Sequence, residues 1–271
     1  MKRILAAAAA ALCASAGLVP ATATAQTSDR WQFGASIYLY LPTVGGTTNF
    51  PQSGGGSSAS IDSSKILDSL KMAFMGNFEA RKGVWGGFTD VMYVDLGQSK
   101  SGFRDFSIGG NQIPADASAN LNYDLKGTAW TLAGSYRVVP DVRSPVDVFA
   151  GARMLDIKQT LGWQLGGNVA SIPLPGRAGT REAKMQNWDG IVGVKGRLTL
   201  GAERKWFVPY YLDVGTGESD LTWQAVAGIG YSFGWGDVVG SWRYLDYKMK
   251  SGDPIQSINF NGPALAAVFH W

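Results

Sequence analysis

Between residues 221 and 233 the chain changes character at every step. Leu221, Trp223, Ala225, Ala227, Ile229, Tyr231 and Phe233 take one parity, and Thr222, Gln224, Val226, Gly228, Gly230 and Ser232 the other. Side chains of a strand point alternately to its two faces, so the segment is a strand with one apolar face and one small, mixed face. The final residues, 257–271, do the same: Leu265, Ala267, Phe269 and Trp271 oppose Gly262, Ala264, Ala266, Val268 and His270. In both segments the larger apolar groups share the face that has to leave water.

Eight further segments repeat the alternation and bring the expected strand count to ten. Residues 31–41 set Trp31, Phe33, Ala35, Ile37, Leu39 and Leu41 against Gln32, Gly34, Ser36, Tyr38 and Tyr40; residues 72–81 set Met72, Phe74, Phe78 and Ala80 against Asn77, Glu79 and Arg81. In 85–96, Trp85, Val91 and Tyr93 point outward if Asp90 points inward; in 121–138, Trp130, Leu132 and Tyr136 oppose Thr131, Ser135 and Arg137. Residues 146–154 oppose Val146, Val148, Ala150, Ala152 and Met154 to Asp147, Gly151 and Arg153; residues 185–200 oppose Trp188, Val192 and Val194 to Asp189, Lys195 and Arg197. Residues 206–214 keep Asp213 on the inner side, and 237–249 set Trp242 and Tyr244 against Ser241 and Arg243.

The connections alternate in length. Residues 82–84, 139–145, 201–205 and 234–236 are short links, whereas 43–71, 97–120 and 158–184 are long, polar and rich in glycine, and read as loops throughout. Ile66, Leu67 and Leu70 have the spacing of one helical turn inside the first of them. Short turns at one end and long loops at the other predict an all-β, transmembrane, antiparallel up-and-down barrel of about ten strands, with eight or twelve also compatible with the weak period-two signal. Lipid outside makes closure compulsory, because unpaired N–H and C=O groups there cost several kcal/mol each. Trp31, Trp85, Trp206, Trp223, Trp235 and Trp271, near strand ends, fit interfacial girdles. A soluble β-sandwich would carry Lys and Glu on its outer face, whereas here the charges stand singly among small residues on the less apolar face. An exported, soluble, lipid-binding β-domain is the alternative fold of this composition.

Lys2 and Arg3 precede an apolar run over residues 4–19, followed by Pro20 and Ala23-Thr24-Ala25. That order is a secretory signal, residues 1–25, cut before a mature chain of residues 26–271. The one cysteine, Cys13, lies inside it, so the mature chain has no disulfide or thiol chemistry. Removing Lys2 and Arg3 from 24 basic residues leaves 22 against 21 acidic ones, which excludes a nucleic-acid binder. Past the signal no apolar run is long enough for a membrane helix.

Ten charged residues carry the inward parity: Glu79, Arg81, Asp90, Arg137, Arg153, Asp189, Lys195, Arg197, Asp213 and Arg243. In a barrel of this size side chains largely fill the interior, so these charges either pair with one another or line a narrow, mildly anion-preferring path. Barrel hydrolases need a histidine as proton carrier. His270 is the one histidine, next to last and at the short-turn rim, with no Ser or Asp fixed beside it by a motif, so no catalytic site is expected. Asp213, Glu218 and Asp220, with Asp246 and Asp253, gather near outward connections but share them with Lys248 and Lys250, the composition of a solvated rim rather than a metal site. No cofactor is expected. Of the two faces of residues 221–233, Ala227 should reject a charge and Gly228 should accept serine.

The segments Ile37-Tyr38-Leu39-Tyr40-Leu41-Pro42, Ser219-Asp220-Leu221-Thr222-Trp223-Gln224, Gly240-Ser241-Trp242-Arg243-Tyr244-Leu245-Asp246 and Asn261-Gly262-Pro263, with the aromatic ending, resemble a group of largely uncharacterised proteobacterial outer-membrane β-barrel proteins. The resemblance implies location and architecture and no activity. In such barrels the closing strand ends in Phe or Trp read by the barrel assembly machinery, a role that falls here on Leu265, Ala267, Phe269 and Trp271. Outer-membrane lipid, lipopolysaccharide and that machinery are the expected partners, and a structural, narrow-channel or loop-binding role the expected function.

Overall fold

The computed structural model describes residues 29–48, 57–61, 70–101, 107–108, 111–112, 117–169, 172–173, 177–251 and 255–271. The expected export signal and the helical turn at Ile66 and Leu67 lie outside them. Ten long strands form a meander: β1 (Trp31–Tyr40), β2 (Leu70–Lys82), β3 (Trp85–Ser101), β4 (Ala117–Val139), β5 (Val146–Val169), β6 (Arg177–Leu200), β7 (Trp206–Gly217), β8 (Leu221–Ser232), β9 (Asp237–Lys248) and β10 (Ile255–His270). Each pairs antiparallel with the next, and β10 pairs with β1 in a register running from Gly34↔His270 to Tyr40↔Ala264. The sheet is therefore closed, with ten strands.

The assigned faces hold on every strand. Trp31, Ile37, Phe74, Trp85, Leu132, Trp188, Val192, Leu212, Ile229, Trp242, Leu265 and Trp271 are all exposed on the outside, Ile37 at 62% and Trp271 at 63%. Side chains of the opposite parity are buried inside. Such an apolar outer belt around a closed sheet has to be solvated by hydrocarbon, which overturns the soluble-domain alternative. Aromatic rings gather at the short-turn end, where Trp31 and Trp271 both stack near Phe33 and Trp206 meets Tyr231 at 4.9 Å; at the outward end Trp130 meets Trp188 at 5.9 Å and Trp223 meets Tyr244 at 4.7 Å. The turns after β2 and β6 are tight because Gly83 and Gly201 take positive φ, 61° and 70°, which side chains resist.

Parts of all three long connections are less irregular than their sequences suggest. β4, β5 and β6 are 23, 24 and 24 residues long, roughly 60 Å along the axis of a tilted barrel against a belt of about 25 Å. Their outward ends carry much of the stretches expected to be loops at 97–120 and 158–184, as does β3 to Ser101. In the first connection Thr43–Thr48 and Ser57–Ile61 form a hairpin, and Thr43–Thr48 also pairs with β10 from Asn261 to Ile255. Above the hydrocarbon both faces of a strand are wet, so the alternation disappears from the sequence while the ladder continues.

Candidate functional site

The interior is divided along its axis. In the outward half Tyr40, Met75, Met92, Leu96, Leu125, Leu155, Ile157, Leu245, Tyr247 and Ile258 pack against one another from β1, β2, β3, β4, β5, β9 and β10. Leu155 and Ile157 are 1% exposed and Leu245 and Tyr247 0%. Together they form an apolar septum inside the barrel. Below it lies a polar chamber of about 380 Å³, lined among others by Glu79, Asp90, Arg137, Asp147, Lys195 and Arg243. A second, wider recess at the short-turn rim shares Arg137, Pro145 and Arg197 with it, so these three residues stand at the neck between the chamber and the rim.

Three charge clusters brace the lumen. Under the septum, Arg243 Nη2 donates to Asp90 Oδ1 at 3.0 Å across the barrel, and Nη1 donates to the Tyr38 hydroxyl at 2.9 Å. That hydroxyl donates in turn to Asp90 Oδ2 at 2.9 Å, and Gln224 Oε1 accepts from Arg243 Nη2 at 2.8 Å. Beside it the buried Arg153 holds Asp213 through both terminal nitrogens, one at 3.0 Å, and reaches Thr131 Oγ1 at 3.2 Å. At the neck, Asp147 accepts from Arg81 and from Arg137 Nε at 2.8 Å, while Glu79 accepts from Arg81 at 3.1 Å and Lys195 at 2.6 Å. Lys195 also stands 4.3 Å above the Phe88 ring. Gly193 opposite has no side chain because a Cβ there would stand 2.4 Å from Phe149 Cζ, whose ring packs beneath Phe88.

Nine of the ten inward charges are thus brought into pairs: Glu79, Arg81, Asp90, Arg137, Arg153, Lys195, Asp213 and Arg243 in these clusters, and Arg197 with Asp237 at 3.5 Å on the rim. Asp189 is different. It accepts from the backbone N of Ser219 at 2.9 Å and from its hydroxyl, pinning the β7–β8 link, and forms no salt bridge among the described residues. Asp147 and Asp237 are partners that the ten inward charges do not include. Both were findable: Asp147 shares parity with Arg153 and sits opposite Arg137 in the ladder, and Asp237 shares parity with Arg243. With them counted, six cations face six carboxylates, and the anion preference expected from the sequence disappears.

His270 does have a carboxylate beside it. Its Nε2 lies 2.9 Å from Asp237 Oδ2, because β9–β10 pairing sets Asp237 opposite Val268 at the same rim. The ring is half exposed and belongs to the rim recess, on the far side of the chamber from the septum. The outward acidic residues do not converge: Asp213 is taken by Arg153, Glu218 Oε2 accepts from the Trp188 amide at 2.6 Å, and Asp253 lies outside the described residues. Among the described residues no three metal-type ligands cluster.

No protein-family model matches the chain, and no curated protein does. Solved structures do. The outer membrane protease OmpT from Escherichia coli matches with a TM-score of 0.52 at 8% identity, over 90% of this chain and 97% of that one. The translocator domain of the autotransporter NalP from Neisseria meningitidis matches with a TM-score of 0.36 at 15% identity, covering 98% and 95%. Ail, the attachment invasion locus protein of Yersinia pestis, gives 0.33 at 9% identity, covering 89% and 98%. The likeness to OmpT concerns the fold alone. Together with the closed sheet and its apolar belt, it decides the class. The chain is an integral outer-membrane β-barrel. The face that carries Leu265, Ala267, Phe269 and Trp271 is the lipid side of the strand that closes the barrel, opposite β1.

Proposed function

We propose that this barrel is a non-enzymatic small-solute passage, shut at rest, whose polar chamber admits a solute from the periplasmic side and whose septum stops free flow. The observation that carries this reading is the stacking of the two layers: a chamber of about 380 Å³, bordered toward the rim recess by Arg137, Pro145 and Arg197, lies under a packed apolar layer. Water and ions do not cross a packed apolar layer, so the charges beneath cannot serve an open pore. Their pairing matches a chamber held to a fixed shape, since an unpaired charge in this interior would be costly. Lipid and lipopolysaccharide surround the belt in this reading, and the outer face of β10 is the segment that the barrel assembly machinery engages.

Planar-bilayer recording tests it. The wild-type barrel should show no steady conductance, and replacing Leu155 and Leu245 together by serine should give a small, reproducible one. Steady conductance from the wild type, or silence from a correctly folded double variant, would overturn the proposal. A second reading, that the barrel displays a binding surface outside the cell, is favoured by the length of β4, β5 and β6, whose outward ends run far above the belt. Deleting those outward ends should then abolish binding to whole cells without altering the conductance of the septum variant.

A further inference from the structure

The barrel wall is split on one side. β1 and β2 pair from Trp31↔Lys82 to Ile37↔Gly76, and the ladder stops there although β1 runs on to Tyr40 and β2 begins at Leu70. Continued, it would set Tyr40 opposite Ala73. Each strand stays paired on its other side, β1 with β10 as far as Tyr40↔Ala264 and β2 with β3 as far as Leu70↔Leu96. Phe33 N bonds Trp271 O and Leu41 N bonds Pro263 O, so odd-numbered residues of this strand bond β10 and the even-numbered Tyr38, Tyr40 and Pro42 face β2. Pro42 has no N–H to offer a ladder. On the facing edge the β2–β3 register slips between Leu70 and Met72, a bulge that bends the strand.

An apolar pocket lies behind the split. Leu39, Leu41 and Pro42 line one lip, Ala73 and Met75 the other, and Leu155 and Ile157 are among the residues behind. Leu39 is 47% exposed on the lipid side, whereas Leu155 is buried in the septum, so one pocket reaches from the outer belt to the interior. Its void is only about 40 Å³. Two of its walls, however, are Met75 and Met92, whose unbranched side chains yield readily. On its far side nothing lies within 4 Å of where a Cβ on Gly127 would stand. The Tyr40 hydroxyl is already given to the Arg243 carbonyl at 3.0 Å, and apart from Thr128 every other side chain that lines the pocket is apolar or absent.

We propose that the split between β1 and β2 is a lateral binding site for an acyl chain of outer-leaflet lipid, which passes between Leu39 and Ala73 and lies against Met75, Met92 and Leu155. The lips fix the source. Leu39, Met72 and Phe74 are exposed apolar groups of the belt, so what stands at the opening in a membrane is lipid hydrocarbon. Tyr40 lies roughly 23 Å up the tilted strand from Trp31, in a belt of about 25 Å, so the opening is at the outer edge of the hydrocarbon. There a lipid keeps its headgroup in water while one chain turns inward, and the unpaired backbone of the lips is within reach of water, which the bilayer centre would not supply. The inference stands on strand pairing and holds whether or not the chamber passes a solute.

Photolabelling decides it. The full barrel is reconstituted in phospholipid vesicles in which a fraction of the lipid carries a diazirine in its acyl chain; adducts are mapped by mass spectrometry after irradiation. Adducts on the inward-facing Met75, Met92 or Leu155 are expected alongside those on Leu39, Met72 and Phe74. Adducts on the outward-facing residues alone would overturn the proposal. Gly127→Leu, which fills the pocket, should abolish the interior adducts and spare the outer ones. Closing the split with a Leu39→Cys and Phe74→Cys disulfide should do the same. Interior adducts that persist with the disulfide formed would show another way in and equally overturn it. Heat-dependent migration of the unboiled protein in detergent gels confirms that each variant is folded.

Discussion

Arg153 and Asp213 show what the charged interior is for at the scale of single residues. The pair is out of water, so its worth lies less in attraction than in the cost of breaking it. Arg153→Met should lower stability by about 3–5 kcal/mol by stranding the Asp213 carboxylate, and adding Asp213→Leu should recover most of the loss. Reversible urea unfolding in vesicles measures both. Parity alone made the inward residues legible in the sequence; partners across the lumen, such as Asp90 for Arg243, were not, because they depend on which strands face each other through the barrel. Gly228 shows the limit of parity in another way. It does face inward, but a Cβ there would stand 2.2 Å from the Gly240 carbonyl oxygen and 2.6 Å from Ser241 Cα, so Gly228→Ser is not the tolerant change its face suggested. The tolerant inward glycine is Gly127. In the same unfolding assay Gly127→Ser should be near neutral, Gly228→Ser should cost about 1–3 kcal/mol by crowding, and Ala227→Arg, outward on β8, about 2–4 kcal/mol if at mid-bilayer.

At the scale of elements, all ten barrel strands could be read from alternation because lipid on one side and a narrow lumen on the other impose different residues on the two faces. Once a strand leaves the belt that contrast ends. The hairpin of Thr43–Thr48 with Ser57–Ile61 and the outward ends of β4, β5 and β6 therefore carry the sequence pattern of loops. The split between β1 and β2 was illegible for a further reason: Leu39 and Ala73 keep perfect parity, and only pairing reveals that their strands have parted. It makes a prediction of its own. The Ala73 amide points toward β1 where no ladder is made, while Glu79 and Arg81 pair with Gly34 and Gln32. Amide hydrogen exchange followed by NMR in micelles should find Ala73 fast and Glu79 and Arg81 strongly protected. Equal protection would mean that the ladder continues to the top of β2.

For the whole molecule, one closed sheet separates three environments: lipid outside, a dry septum above, and a braced polar chamber below. None of them survives unless β1 and β10, from opposite ends of the chain, lie side by side. Ser36 and Val268 are direct neighbours across that seam, in a pair whose Cα atoms should be about 4.5–5.5 Å apart, within reach of a disulfide. The measurement is the oxidation of a Ser36→Cys and Val268→Cys variant in membranes, read by its altered migration after full denaturation without reductant. Near-complete disulfide formation is predicted, joining the two ends of the chain. Two thiols that stay free in the folded protein would contradict the closed barrel, and with it the septum, the chamber and the lateral site.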